Sequence, residues 1–249
     1  MTPIKVRPAK NFSGQIELPL DKSIAQRAAI LHLPINSGVL GEDIISTKKA
    51  ILESNSSESK KDLFLGNSGT GIRLLTGYLS GTGKSFSLSG DKSLNSRPMA
   101  RIADPLNSMG ANIALTNGKA PIEINPARLK DEFSYAMPVA SAQLKSSLLL
   151  AALNAHTKIE IIEPTETRNH TELMLSHLGA DLRTEQTDEG NVIILDGARG
   201  YEKKPIFVPG DFSSASFFIA LGLLAPDSEL FIPDVGPYIR NEEFRVRCK

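Results

Sequence analysis

The chain has 249 residues, enough for one large domain or two modest ones with a core that folds without staples. Its 28 Lys and Arg balance 28 Asp and Glu, so the net charge is zero and the basic excess of a nucleic-acid binder is missing. Apolar runs such as Leu148–Leu153 are too short to span a bilayer, the opening MTPIKVRPAK has no signal-peptide core, and a single cysteine, Cys248, excludes a disulfide framework.

A helix is predicted over Ile24–Leu33, opened by Asp21-Lys22-Ser23. Ser54–Lys61 (SNSSESKK) reads as a solvated loop or as a join over a missing hairpin. Asn67-Ser68-Gly69-Thr70 opens a second helix, Gly71–Leu79, followed by a strand at Ser85–Ser89. Arg101–Ile124 then gives an amphipathic helix, a stop at Gly110, and two alternating strands joined at Asn117-Gly118. Ser141-Ala142-Gln143 opens a helix to about Leu153, and a strand follows at Lys158–Ile162. Thr171–Leu195 repeats the earlier pattern, with a stop at Gly179 and a turn at Glu189-Gly190. Asp211-Phe212-Ser213-Ser214 opens a last helix, Ala215–Leu224. Gly110 and Gly179 fit helix C′ positions, where a positive φ is cheap only for glycine. Asn117-Gly118 and Glu189-Gly190 fit hairpin turns.

These pieces form an internal repeat: polar loop, helix, strand, helix, hairpin. Its starts at Ser68, Ser141 and Ser213 lie 73 and 72 positions apart, whereas Lys22 lies only 46 before Ser68. The first unit is therefore clipped by roughly one hairpin. A period of some 70 residues that recurs twice marks a repeat architecture in an α/β (α+β) fold.

The chemistry concentrates at helix starts. Gly66-Asn67-Ser68-Gly69-Thr70-Gly71 can bring bare backbone N–H groups to an anion, although the same residues also suit an ordinary N-cap with a tight turn. Gly81-Thr82-Gly83-Lys84-Ser85 fails as a P-loop, because Tyr78 stands where a glycine is needed and a strand follows. Gly66–Thr70 also misses the G-x-S-x-G elbow, since its fifth residue is threonine. Lys22 and Arg27 place two cations at one helix start, against the dipole, and a bound anion supplies the reason. Arg97 and Arg168 precede helix starts in the same way. The histidines (His32, His156, His170, His177) lack metal-ligand spacing, so no metal is expected.

Six segments in order, LPLDKSIAQR (Leu18–Arg27), GNSGTGIRLL (Gly66–Leu75), GDKSLNSRPM (Gly90–Met99), SAQLKSSLLLA (Ser141–Ala151), TRNHTELML (Thr167–Leu175) and VPGDFSSASFF (Val208–Phe218), resemble the motif series of the 5-enolpyruvylshikimate-3-phosphate synthase family. The resemblance implies an enolpyruvyl-transferase fold of repeated βαβαββ units around a pseudo-threefold. Residues 19–204 would be the substrate-binding domain, and 1–18 with 205–249 a remnant of a largely missing second domain. It implies transfer of the enolpyruvyl group of phosphoenolpyruvate to the 5-hydroxyl of shikimate 3-phosphate, a step of aromatic amino-acid biosynthesis, without metal or organic cofactor. Membrane and nucleic-acid partners are not expected, a reducing cytoplasmic setting is, and nothing in the sequence fixes an oligomeric state.

Carried onto this sequence, the resemblance gives Lys22 a catalytic role in proton transfer and contact with both substrates. Ser23, Arg27, Ser141, Gln143, Thr167 and Arg168 would bind shikimate 3-phosphate. Asn67, Gly69, Arg97 and Gln143 would bind phosphoenolpyruvate. Three departures stand out: Leu20 replaces a usual glycine and is more restricted in backbone angle, Thr167 replaces serine, and after Asp234-Val235-Gly236 the text Pro237-Tyr238-Ile239-Arg240-Asn241 replaces an Asn-Pro-x-Arg run. The aspartate base and the further cationic ligands of the family's second domain are not among these 249 residues. The expectation is a chain that alone is feeble or inactive yet binds shikimate 3-phosphate, either as part of an enzyme or as a non-catalytic binding fragment. The sister family acting on a UDP-amino sugar would show Lys-Asn near the first helix and a reactive loop cysteine. Here Ser23 follows Lys22 and Cys248 is next to last.

Overall fold

The computed structural model describes residues 11–56, 60–188, 190–235 and 244–247. In chain order the elements are β1 (Ser13–Gln15), α1 (Lys22–Ile30), α2 (Glu42–Glu53), β2 (Lys60–Phe64), α3 (Gly69–Ser80), β3 (Ser85–Ser89), α4 (Lys92–Asn95), α5 (Ala100–Ser108), β4 (Asn112–Thr116), β5 (Lys119–Asn125), β6 (Glu132–Ala136), α6 (Ala142–Ala155), β7 (Lys158–Glu163), α7 (His170–His177), β8 (Asp181–Thr187), β9 (Gly190–Asp196), α8 (Phe212–Leu224), β10 (Glu229–Ile232) and β11 (Phe244–Arg247). Glu189, Cys248 and the segment Gly236–Asn241 fall outside the described residues, as do the first ten positions and 57–59 of the polar stretch. Lys60 and Lys61, read as loop from sequence, begin β2.

Chain contacts divide the protein into two compact units. The larger comprises Gln26–Pro34 and Glu42–Pro205 and contains the repeat. Its two sheets have the same strand order, β2-β3-β5-β4 and β6-β7-β9-β8. In each, the first pair is parallel and the other two are antiparallel. The order βαβαββ thus occurs twice, with the short α4 added in the first copy. Among the described residues between Lys22 and Ser68 stand α1, α2 and β2 and no hairpin, in keeping with the short first spacing.

Local chemistry explains the element ends. Gly110 and Gly179 have φ of 110° and 78°, one position beyond the C-caps Met109 and Leu178. Asn117 and Gly118 have φ of 52° and 71°, the handedness a two-residue hairpin requires. Ser141 caps α6 by accepting from the Leu144 N–H, and Ser68 caps α3 by accepting from the Gly71 N–H. From Leu144 to Leu153 every residue of α6 is buried, so this helix is the axis of the core. α3 packs against it closely, since a Cβ on Gly77 would overlap the Ser147 carbonyl. The segment Gly81–Lys84 forms a turn leading into strand β3, not the helix a P-loop demands.

The other unit comprises the described parts of Met1–Ala25, Ile35–Gly41 and Ile206–Lys249. Its sheet runs β1-β10-β11, and α8 packs over it through Ala215, Phe218 and Ile219 against Ile232 and Val235. Two similar helix starts meet here: the Asp21 N–H donates to the Pro209 carbonyl (2.7 Å) and the Asp211 N–H to that of Pro19 (2.8 Å). Asp21 and Asp211 each cap a helix, accepting from the Ile24 and Ser214 N–H groups. Leu20 fits this loop without positive φ; its N–H donates to Val39, and its side chain fills the space that Gly38 leaves open. Phe217, Leu223 and Leu224 of α8 are exposed. No helix among the described residues is long and apolar enough to cross a membrane.

Candidate active site

All but two of the sequence-predicted site residues lie in the larger unit, in two polar clusters at the starts of α3, α5, α6 and α7, except that Arg27, expected at a helix start, stands in the last turn of α1. Lys22 and Ser23 belong to the smaller unit, at the first turn of α1. The Lys22 backbone N–H donates to Asp211 Oδ2 (3.3 Å), and its side chain is exposed.

The first cluster centres on Arg97. Its Nη2 donates to Asn67 Oδ1, and Asn67 Nδ2 in turn donates to Asp91 Oδ2 (2.9 Å). Asp91 also caps α4, and the Leu94 N–H, the Asn67 amide and the neighbouring Arg97 charge hold its carboxyl below the usual range. Gly69 is the first residue of α3, and the Arg97 Nη1 group occupies the space a Cβ would take. One turn along α3, Arg73 Nη1 donates to Gln143 Oε1 (2.7 Å), while Gln143 Nε2 donates to Thr70 Oγ1 (3.0 Å). Gln143 thereby ties the start of α6 to the start of α3. Arg101 Nη2 donates to Ser141 Oγ (2.8 Å), the hydroxyl that caps α6.

Three guanidiniums thus gather here. Burial, then the charges of Arg101 and Arg97, push the Arg73 pKa down. The Arg73 Nε is buried and has no hydrogen-bond partner among the described residues. Such a site concentrates positive potential at two helix N-termini and calls for an anion.

The second cluster centres on Arg27, which is 3% exposed. Its Nε donates to Thr171 Oγ1 (2.7 Å) and its Nη2 to Ser146 Oγ (2.8 Å). The Thr171 hydroxyl lies 2.7 Å from that of Ser146. Burial, then the charges of Arg27 and Arg168, pull the neighbouring His170 down to about 4, so this imidazole is neutral at pH 7. Thr167 stands on the turn before α7, and both its N–H and its hydroxyl donate to Glu163 Oε1. Among the described residues no group of three or more His, Cys, Asp or Glu side chains could hold a metal ion.

Sequence reasoning missed Arg73, Arg101, Ser146, Thr171 and the buried Lys145, Glu163 and Glu172. Arg73 carried a usable signal, since it lies four residues after the predicted site residue Gly69 on α3, and residues so spaced share a helix face.

A family model for EPSP synthase (3-phosphoshikimate 1-carboxyvinyltransferase) matches residues 39–244. The chain belongs to the EPSP synthase family. It is 37% identical over 261 residues to the 3-phosphoshikimate 1-carboxyvinyltransferase of Paracoccus denitrificans, covering 94% of this chain and 59% of that relative. The enzyme of the same name from Petrotoga mobilis is 40% identical over 261 residues, with 94% and 60% covered. The solved EPSP synthase of Acinetobacter baumannii superposes with a TM-score of 0.79 at 35% identity, over 93% of this chain and 57% of that one. This EPSP synthase-family chain therefore spans about 59% of the length of the curated relatives it matches.

Proposed function

We propose that the larger unit binds shikimate 3-phosphate and contributes to transfer of the enolpyruvyl group from phosphoenolpyruvate to its 5-hydroxyl. The observation that carries the reading is the cluster of Arg73, Arg97 and Arg101 at helix N-termini, beside Gln143 and Ser141. Two substrates that each carry a phosphate, with at least one carboxylate between them, need such a surplus of fixed donors. In this assignment Asn67, Gly69 and Arg97 face phosphoenolpyruvate, and Gln143 lies between the ligands. Arg27, Ser141, Thr167 and Arg168 of the larger unit hold shikimate 3-phosphate. The sequence assignments of Ser23 and Lys22 fall on the smaller unit.

In the reaction the 5-hydroxyl oxygen bonds to C2 of phosphoenolpyruvate, its proton leaves to a base, and C3 takes up a proton, giving a tetrahedral intermediate. Loss of a C3 proton and departure of phosphate then restore the enol double bond. The fixed guanidiniums stabilise charge at the phosphate and carboxylate without reorganising. A cytoplasmic setting fits the single cysteine.

The family's base and further phosphoenolpyruvate ligands are not among these residues, which favours a second reading: binding without ordinary turnover by the 249 residues alone. Calorimetry with shikimate 3-phosphate, with and without phosphoenolpyruvate, tests both. Tighter binding of one ligand in the presence of the other supports the transfer site. Binding of shikimate 3-phosphate without synergy supports the second reading. No binding of either refutes the assignment. A steady-state assay showing ordinary turnover would refute the second reading.

A further inference from the structure

Beneath the second cluster lies a charged group for which the reaction has no use. Lys145 of α6 and Glu163 at the end of β7 are 0% exposed, and Glu172 of α7 is 4% exposed. Lys145 Nζ lies 2.8 Å from Glu163 Oε2 and 2.6 Å from Glu172 Oε1. One ammonium therefore faces two carboxylates. Buried charge of this kind is costly unless every lone pair finds a donor.

The two carboxylates solve this differently. Glu172 Oε2 is buried without a hydrogen-bond partner among the described residues, and burial, opposed by Lys145, raises the pKa of this carboxyl. Glu163 has donors on both oxygens. Its Oε2 accepts from Lys145 and, at 3.5 Å, from Asn191 Nδ2. Its Oε1 accepts from the Thr167 N–H (3.0 Å) and the Thr167 hydroxyl. The five residues from Glu163 to Thr167 are thus closed into a loop by one carboxylate oxygen. That loop is anchored to the core helix α6 through Lys145.

We propose that Glu163, held by Lys145, is a positioning residue that fixes Thr167 for the phosphate of the bound ligand; this rests on the shikimate 3-phosphate reading above. A threonine hydroxyl has one proton. Without ligand that proton points to Glu163. A phosphate arriving beside Arg27 and Arg168 takes the proton into a new hydrogen bond, while the amide bond to Glu163 keeps Thr167 in place. Glu163 then sets affinity for the phosphate and leaves affinity for the ring hydroxyls untouched.

The test compares shikimate 3-phosphate with shikimate, which lacks the phosphate, on the full 249-residue chain. Glu163→Gln leaves Lys145 paired with Glu172 and replaces the charged acceptor of Thr167 by a neutral amide, so the Thr167 contacts weaken whichever way the amide turns. The expected result is roughly ten- to hundredfold weaker binding of shikimate 3-phosphate, the value of a charge-assisted hydrogen bond, with shikimate affinity unchanged. The Thr167 amide should also exchange faster with solvent in ligand-free E163Q. In a Thr167→Ala background the same substitution should cost little further phosphate affinity, because its effect runs through Thr167. If E163Q does not fold, Glu163→Asp keeps the charge beside Lys145 and shortens the reach to Thr167, and it carries the same comparison. Equal losses for both ligands, or full additivity with T167A, would overturn the positioning role alone. Failure of the unaltered chain to bind shikimate 3-phosphate would overturn the functional reading and this inference with it.

Discussion

His170 offers a direct reading of the electrostatics around Arg27. Its pKa falls from 6.5 to about 4, first through burial and then through the charges of Arg27 and Arg168. Between those two values the unfolded chain holds a proton that the folded chain lacks. Stability from this group is therefore complete above pH 6.5 and is lost progressively as the pH falls toward 4. A displacement of that size corresponds at most to about 3 kcal/mol, and solvent screening of this half-buried ring lowers the figure. Carboxylates also weaken the fold in acid, so the informative quantity is a difference. Urea unfolding at pH 7 and pH 4.5 should show a smaller acid loss in His170→Gln than in the unaltered chain. Proton NMR of the imidazole gives the pKa itself. Adding shikimate 3-phosphate should raise it, because a phosphate dianion offsets the repulsion of the two guanidiniums and leaves only burial to oppose protonation. A His170 pKa at or above 6.5 in the free protein, or one that drops on adding ligand, would refute the placement of these charges.

Other perturbations separate binding from folding. Gly69→Ala should leave the melting temperature level or slightly higher, since alanine exceeds glycine by up to about 1 kcal/mol in a helix, yet it should displace the Arg97 guanidinium and reduce phosphoenolpyruvate synergy in calorimetry. Ser141→Ala removes the cap of α6 and the acceptor for Arg101, and should cost about 1 kcal/mol in denaturant unfolding along with phosphate affinity. Lys145→Met leaves two buried carboxylates facing each other and should cost about 3–5 kcal/mol. Combining it with Glu172→Gln should restore part of that loss, as measured by the urea midpoint.

The repeat was legible because its signals are local. Helix stops at Gly110 and Gly179, the Asn117-Gly118 turn and strands with period two announce themselves within a few residues. The helix α2 was not read, although Ile44, Thr47, Ala50 and Ile51 lie buried along one face of it. Its moderately polar sequence stands beside SNSSESKK, and a run of serines pulls any local reading toward loop. What settles such a helix is the packing of its buried face.

The site divides along the same line. Arg97, Asn67, Gly69 and Gln143 were legible because a helix start carries its own chemistry, with donors that point outward and a dipole that favours anions. Lys145 gave no such warning. In SAQLKSSLLLA it reads as one polar break in an apolar helix, and its partners lie 18 and 27 residues further on, at Glu163 and Glu172. A buried cation has no meaning until the fold brings it a carboxylate. The local sequence therefore points to the polar groups gathered at helix starts, and the fold shows which buried groups they are bonded to. Thr167 stands at the join: its place before α7 was visible from sequence, but the carboxylate that accepts its hydrogen bond was visible only once β7, α6 and α7 had come together.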